Sequence, residues 1–66
     1  MNKYERQRQI IRLIRSRTYE TIKNLAIEFG VSERTIGRDI EELSLVEPIY
    51  TKSGRYGGGV YILLYI

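Results

Sequence analysis

The 66-residue sequence has no cysteine and no histidine. Without cysteine there is no disulfide to staple a small core and no thiolate nucleophile; without histidine the usual zinc sites and the Ser-His pair are gone too. Most hydrolytic and redox catalysis is thereby excluded. Long apolar runs are missing as well: the longest, Val60 to Ile66, is seven residues, whereas a spanning helix needs about 20. No apolar stretch follows the charged opening MNKYERQRQ, so neither a signal peptide nor a membrane partner is expected, and the expected location is cytoplasmic. What is present is a 42% apolar fraction, which is that of a folded chain. A domain this short buries only about 60% of its unfolded surface. A binding module is the class that remains.

Charge is unevenly distributed along the chain. Met1 to Arg17 carries Lys3, Arg6, Arg8, Arg12, Arg15 and Arg17 against Glu5, a net of +5. Thr18 to Glu47 sets Lys23, Arg34 and Arg38 against seven acids, a net of −4. Lys52 and Arg55 bring the total to +3. Concentrated positive charge points to a polyanionic partner.

The sole proline, Pro48, separates two kinds of patterning. Before it, apolar residues recur every three or four positions; after it, β-formers surround a cluster of glycines. The spacing predicts a first helix over about 3–16, with Ile10, Leu13 and Ile14 inward and Arg8, Arg12 and Arg15 opposite, a stripe that reads most simply as a solvated face. Thr21 is a natural N-cap for a second helix over about 21–29, whose buried side is Ile22, Leu25, Ala26 and Phe29. Gly30 ends it. Ser32 caps a third helix over about 32–44, with Ile36, Ile40 and Leu43 inward. The short Gly30-Val31-Ser32 link is a helix-turn-helix signature. Residues 48–66 predict a β-hairpin, so the expected fold is α+β: one winged helix-turn-helix domain, a three-helix bundle with a C-terminal wing.

With Ile36 facing the core, Arg34, Arg38 and Thr35 fall at about 160°, 200° and 260° around the third helix. That edge would meet base edges in a major groove. The alternative is an exposed i, i+4 arginine pair on a solvated helix. Gly37 is out of place, because a mid-helix glycine costs about 1 kcal/mol relative to alanine. Either it permits close approach to DNA or a second protomer, or it is a tolerated drift. Asp39, Glu41 and Glu42 would repel phosphates, so local salt bridges or a protein contact are expected of them. At the wing, Lys52, Arg55 and Tyr56 can follow a sugar–phosphate backbone or enter a minor groove; a plain polar turn is the other reading. The free N–H groups near Thr21 and Ser32 suit phosphate, although capping alone explains both residues. The triglycine at 57–59 precedes a strand and no suitably placed lysine follows, so it is not a nucleotide cradle.

The segments ERQRQIIRLI, TIKNLAIEFGVSERTIGRDIEELS and PIYTKSGRYGGGVYIL together resemble the winged helix-turn-helix domain of DeoR-like and WYL-containing bacterial transcription regulators, and are similar to the biotin repressor's DNA-binding domain. The resemblance covers Glu5 to Gly59. It implies that Ser32, Arg34, Thr35 and Arg38 face DNA and that Arg55 sits in the wing. Such domains usually carry a basic residue where Gly37 stands, and such regulators generally carry an effector domain after the wing.

The expected function is sequence-specific binding of double-stranded DNA by a bacterial or phage transcription regulator, with Thr21, Lys23, Ser32, Arg34, Thr35, Arg38, Lys52, Arg55 and Tyr56 as contacts. No cofactor, catalytic residue, metal ligand or small-molecule effector site is expected. The alternative is a winged-helix protein-interaction or dimerisation module using the acidic middle of the chain and the last strand. That strand alternates Val60, Ile62, Leu64 and Ile66 with Tyr61, Leu63 and Tyr65, apolar on both faces. It needs cover, from a homodimer partner or from a longer parent chain.

Overall fold

The computed structural model describes residues 1–52 and 58–62. Its elements are α1 (Lys3–Arg17), β1 (Tyr19–Thr21), α2 (Ile22–Phe29), α3 (Glu33–Leu43), β2 (Ile49–Lys52) and β3 (Gly59–Ile62). The architecture is the α+β winged helix that the patterning predicts. Each helix starts on a side-chain cap: Asn2 accepts from the Glu5 N–H, Thr21 from Asn24 and Ser32 from Thr35. The turn between α2 and α3 closes as a Schellman motif. Gly30 takes φ +65°, its N–H bonds the Ile27 carbonyl at 3.3 Å, and the Val31 N–H bonds Ala26 at 3.1 Å. Only a residue without a Cβ enters that conformation cheaply.

The core draws on every helix and on the sheet. Ile10 and Ile14 of α1, Leu25 of α2, Ile36 of α3 and Val60 of β3 are fully buried. Ile11, Ala26, Ile40, Leu43, Ile49 and Ile62 complete the cluster among the described residues, with Leu13, Ile22, Phe29 and Val31 packed against it.

The sheet departs from the expected two-stranded hairpin. Its strand order is β1-β3-β2, all antiparallel, so Tyr19–Thr21 supplies a third strand. α1 ends in Thr18 at φ 63°, a left-handed turn rare for a β-branched residue. The turn swings the chain directly into β1. The Thr18 carbonyl then accepts from the Ile62 N–H at 3.2 Å, and the Gly58 carbonyl accepts from the Ile22 N–H at 3.0 Å. The first turn of α2 is therefore bolted to the root of the wing.

β1 also changes how the last strand is covered. Over Gly59–Ile62 both edges are paired, one to β1 and one to β2. Val60 and Ile62 face the core. On the outer face Tyr61 lies between Tyr19 (ring centroids 4.6 Å) and Tyr50 (5.1 Å). The chain thus covers both edges of this segment itself. The alternation at Leu63, Leu64, Tyr65 and Ile66 lies outside the described residues.

Glu20 is buried within this junction. Burial pushes its carboxyl pKa up, but bonds from the Thr21 N–H, Arg17 and Asn24, with the Arg17 charge, outweigh that and hold it below its ordinary value. A carboxyl depressed in the folded state stabilises the fold above its unfolded pKa of about 4.3, and that stability disappears as pH falls through the folded value. Glu20→Gln is expected to flatten the acid limb of stability below about pH 4, read by circular dichroism across a pH series. An unchanged acid limb would contradict this role.

Candidate nucleic-acid interface

α3 is strongly two-sided, because isoleucines and leucine at i, i+4 and i+7 bury one face (Ile36, Ile40, Leu43) and leave the other to charge. Arg34 and Arg38 are exposed on the outer face. Thr35 is half-buried and turned toward the α1 side, with its hydroxyl 3.0 Å from that of Ser32. The Ser32 hydroxyl also accepts from the Thr35 N–H at 3.1 Å. Of the three side chains expected on one edge, Arg34 and Arg38 are exposed and without an ion pair among the described residues, Arg38 sharing a groove beside α1 with Thr35, Lys3 and Arg6, and the threonine hydroxyl is shared with the helix cap.

The rest of the charge pattern explains why those two arginines stand out. Most cations of α1 are held by the acids of the middle segment. Lys3 pairs with Glu42 at 3.2 Å, Arg15 with Glu47 at 2.7 Å, and Arg17 with Glu20 at 2.6 Å and Glu28 at 2.8 Å. Arg6 grips Asp39 with two bonds, at 2.5 and 3.0 Å. Asp39 is only 1% exposed, and Gln7 donates to it at 3.2 Å. Gln7 also donates to Glu42, whose carboxyl is held below its ordinary pKa by that bond and by Lys3. Four of the six α1 cations are thus paired with acids of the middle segment, Lys3 and Arg6 of them across the α1–α3 interface. Among the described residues, the cations without an ion pair are Arg8, Arg12, Lys23, Arg34, Arg38 and Lys52.

Of the three acids expected to make local salt bridges or a protein contact, Asp39 and Glu42 pair with α1 cations more than thirty positions away, and Glu41 makes no ion pair among the described residues; those partners and the burial of Asp39 were not anticipated. A usable signal was present. Asp39 is three residues after Ile36 and four before Leu43, on the buried stripe, and Arg6 is four before Ile10 on the inward side of α1. Two opposite charges on two apolar stripes imply that they meet.

The other candidate contacts fall around α3. Lys23 is exposed in the first turn of α2, and the Thr21 hydroxyl accepts from the Asn24 N–H at 3.0 Å. Lys52, exposed at the end of β2, lines a cleft of about 520 Å³ together with Gly37, Glu41 and Gly58. The cleft lies between α3 and the wing. Arg55 and Tyr56 lie outside the described residues.

Three helices, a Schellman-closed turn ahead of an exposed third helix, and a flanking antiparallel wing define a winged helix-turn-helix protein. The chain belongs to the HTH domain family, whose model matches residues 6–60. That is a family of DNA-binding domains serving transcription regulation, not a family of enzymes. The match does not extend to the narrower likeness to DeoR-like, WYL-containing or biotin-repressor domains. Searches of the curated proteins and of the solved structures returned no match. Among the described residues, no helix is long and apolar enough to cross a membrane.

Proposed function

We propose that this chain binds double-stranded DNA sequence-specifically as a cytoplasmic transcription regulator of a bacterium or phage. α3 enters the major groove and the wing follows the adjacent backbone or minor groove. The observation that carries this reading is the position of Arg34 and Arg38: exposed on the outer face of α3, and without an acidic partner among the described residues while most α1 cations have one. Arginine donates two bonds to guanine O6 and N7. Thr35, Ser32, Thr21, Lys23 and Lys52 contribute backbone contacts around it, with Arg55 and Tyr56 at the wing tip.

A salt titration tests the electrostatic part. Observed affinity should fall with a log-log slope of about 0.9 per phosphate neutralised. Lys52→Ala should lower that slope by about one and weaken all duplexes similarly. Salt-independent binding, or none, would contradict the proposal.

The alternative protein-interaction reading loses support from the ion pairs, because four of the acids it relied on in the middle segment, and Asp39 with them, are engaged within the chain. The homodimer belongs to the proposal in a narrower form. Both edges of β3 are paired over Gly59–Ile62, so a partner would meet the outer tyrosine face, where Tyr19 and Tyr50 are 42% and 44% exposed. Ultracentrifugation showing only monomer at high micromolar concentration would remove the dimer.

A further inference from the structure

Among the described residues, nothing gives Gly37 a structural duty within its own chain. Its φ is ordinary, since Gly30 is the glycine with positive φ among the described residues. Among the described residues, a Cβ built on it meets no heavy atom within 4 Å. Neither backbone strain nor internal packing calls for glycine, and mid-helix glycine weakens the helix. Gly37 is also half-buried on a particular wall: it lines the cleft between α3 and the wing, with Ile40 beneath it, Glu41 and Ser44 along the helix, and Lys52 and Gly58 across from it.

If α3 occupies a major groove and the wing the neighbouring minor groove, the sugar–phosphate strand separating those grooves has to cross between them. We infer that this cleft seats that strand, and that Gly37 is the point where the α3 backbone comes closest to it. This rests on the proposed DNA-binding reading and deepens it. The apolar floor at Ile40 and the bare Cα of Gly37 suit the deoxyribose edge. Lys52 supplies the cation for the phosphate beside it. Glu41 stands on the α3 wall, where it would repel a phosphate, which directs the phosphate toward the wing side. Any side chain at position 37 would fill the space the sugar needs.

The test pairs folding with binding. Wild-type protein first selects its preferred duplex from a random pool; Gly37→Ala and Gly37→Leu are then measured for thermal stability and for affinity to that duplex. Gly37→Ala should raise the melting temperature by about 4–8 °C. Gly37→Leu should weaken binding at least about tenfold through overpacking against the strand, with the salt slope unchanged because no charge is lost. Phosphate ethylation interference should then fade at the phosphates flanking the seated sugar. Unimpaired binding by Gly37→Leu alongside normal wild-type binding overturns this inference and leaves DNA binding standing. A lowered melting temperature for Gly37→Ala would show that glycine serves the fold, and also overturns it. Failure of the wild type to select any duplex takes down the DNA-binding reading, and this inference with it.

Discussion

Asp39→Ala is expected to destabilise the fold by about 3 kcal/mol, the lower end of the range for breaking a buried ion pair. The lower end applies because the Arg6 side chain keeps 15% of its surface in contact with water. The guanidinium would still lose its two bonds to the carboxylate, and Gln7 one of its acceptors. A domain of this size has only about 3–5 kcal/mol in total, so the variant should be largely unfolded near body temperature. Urea or thermal denaturation followed by circular dichroism reads this directly. The pair also ties α1 directly to α3. Arg6→Met combined with Asp39→Leu should recover most of the lost stability, because two apolar side chains replace two charges that needed each other. An Asp39→Ala protein melting within a degree or two of wild type would contradict this account of the α1–α3 interface.

Arg38→Ala is expected to leave stability within about 0.5 kcal/mol of wild type, since the side chain is exposed and makes no ion pair among the described residues. Its effect should fall on binding: a loss of about 1–3 kcal/mol on the preferred duplex, concentrated at one base position. Arg34→Ala should behave alike at a neighbouring position. The contrast with Lys52→Ala separates base reading from backbone attraction, because a phosphate contact weakens every sequence equally. Equal losses on preferred and random duplex for Arg38→Ala would reduce the arginine to a generic cation.

Much of this arrangement was legible from residue order because it depends on local chemistry. Thr21, Ser32 and Gly30 signal helix ends through groups within three residues of themselves, and Ile36, Ile40 and Leu43 declare a buried stripe by spacing alone. β1 was not legible. Three residues carry no periodicity, and their pairing partner lies some forty positions later at Val60 and Tyr61. The left-handed turn at Thr18 that launches the strand is one that threonine gives no reason to expect. The ion pairs were not legible for the same reason: Lys3 with Glu42 and Arg15 with Glu47 are over thirty positions apart, so linear charge counts give a basic segment and an acidic one where the fold pairs four of the α1 cations with middle-segment acids. A positively charged N-terminal helix competes with α3 for a polyanion; pairing four of its six cations within the chain reduces that competition, leaving Arg8 and Arg12 as its unpaired cations among the described residues.

The decisive measurement is chemical protection of guanine N7 in the duplex that the protein selects, because N7 is accessible only from the major groove. An outer edge of α3 seated there, with its paired guanidinium groups on guanine, should shield at least one N7 from methylation in the presence of wild-type protein. The same N7 should regain reactivity with Arg38→Ala at saturating concentration. Full N7 reactivity throughout the bound site, or protection that survives loss of both arginines, would mean that some other surface of this protein reads the DNA.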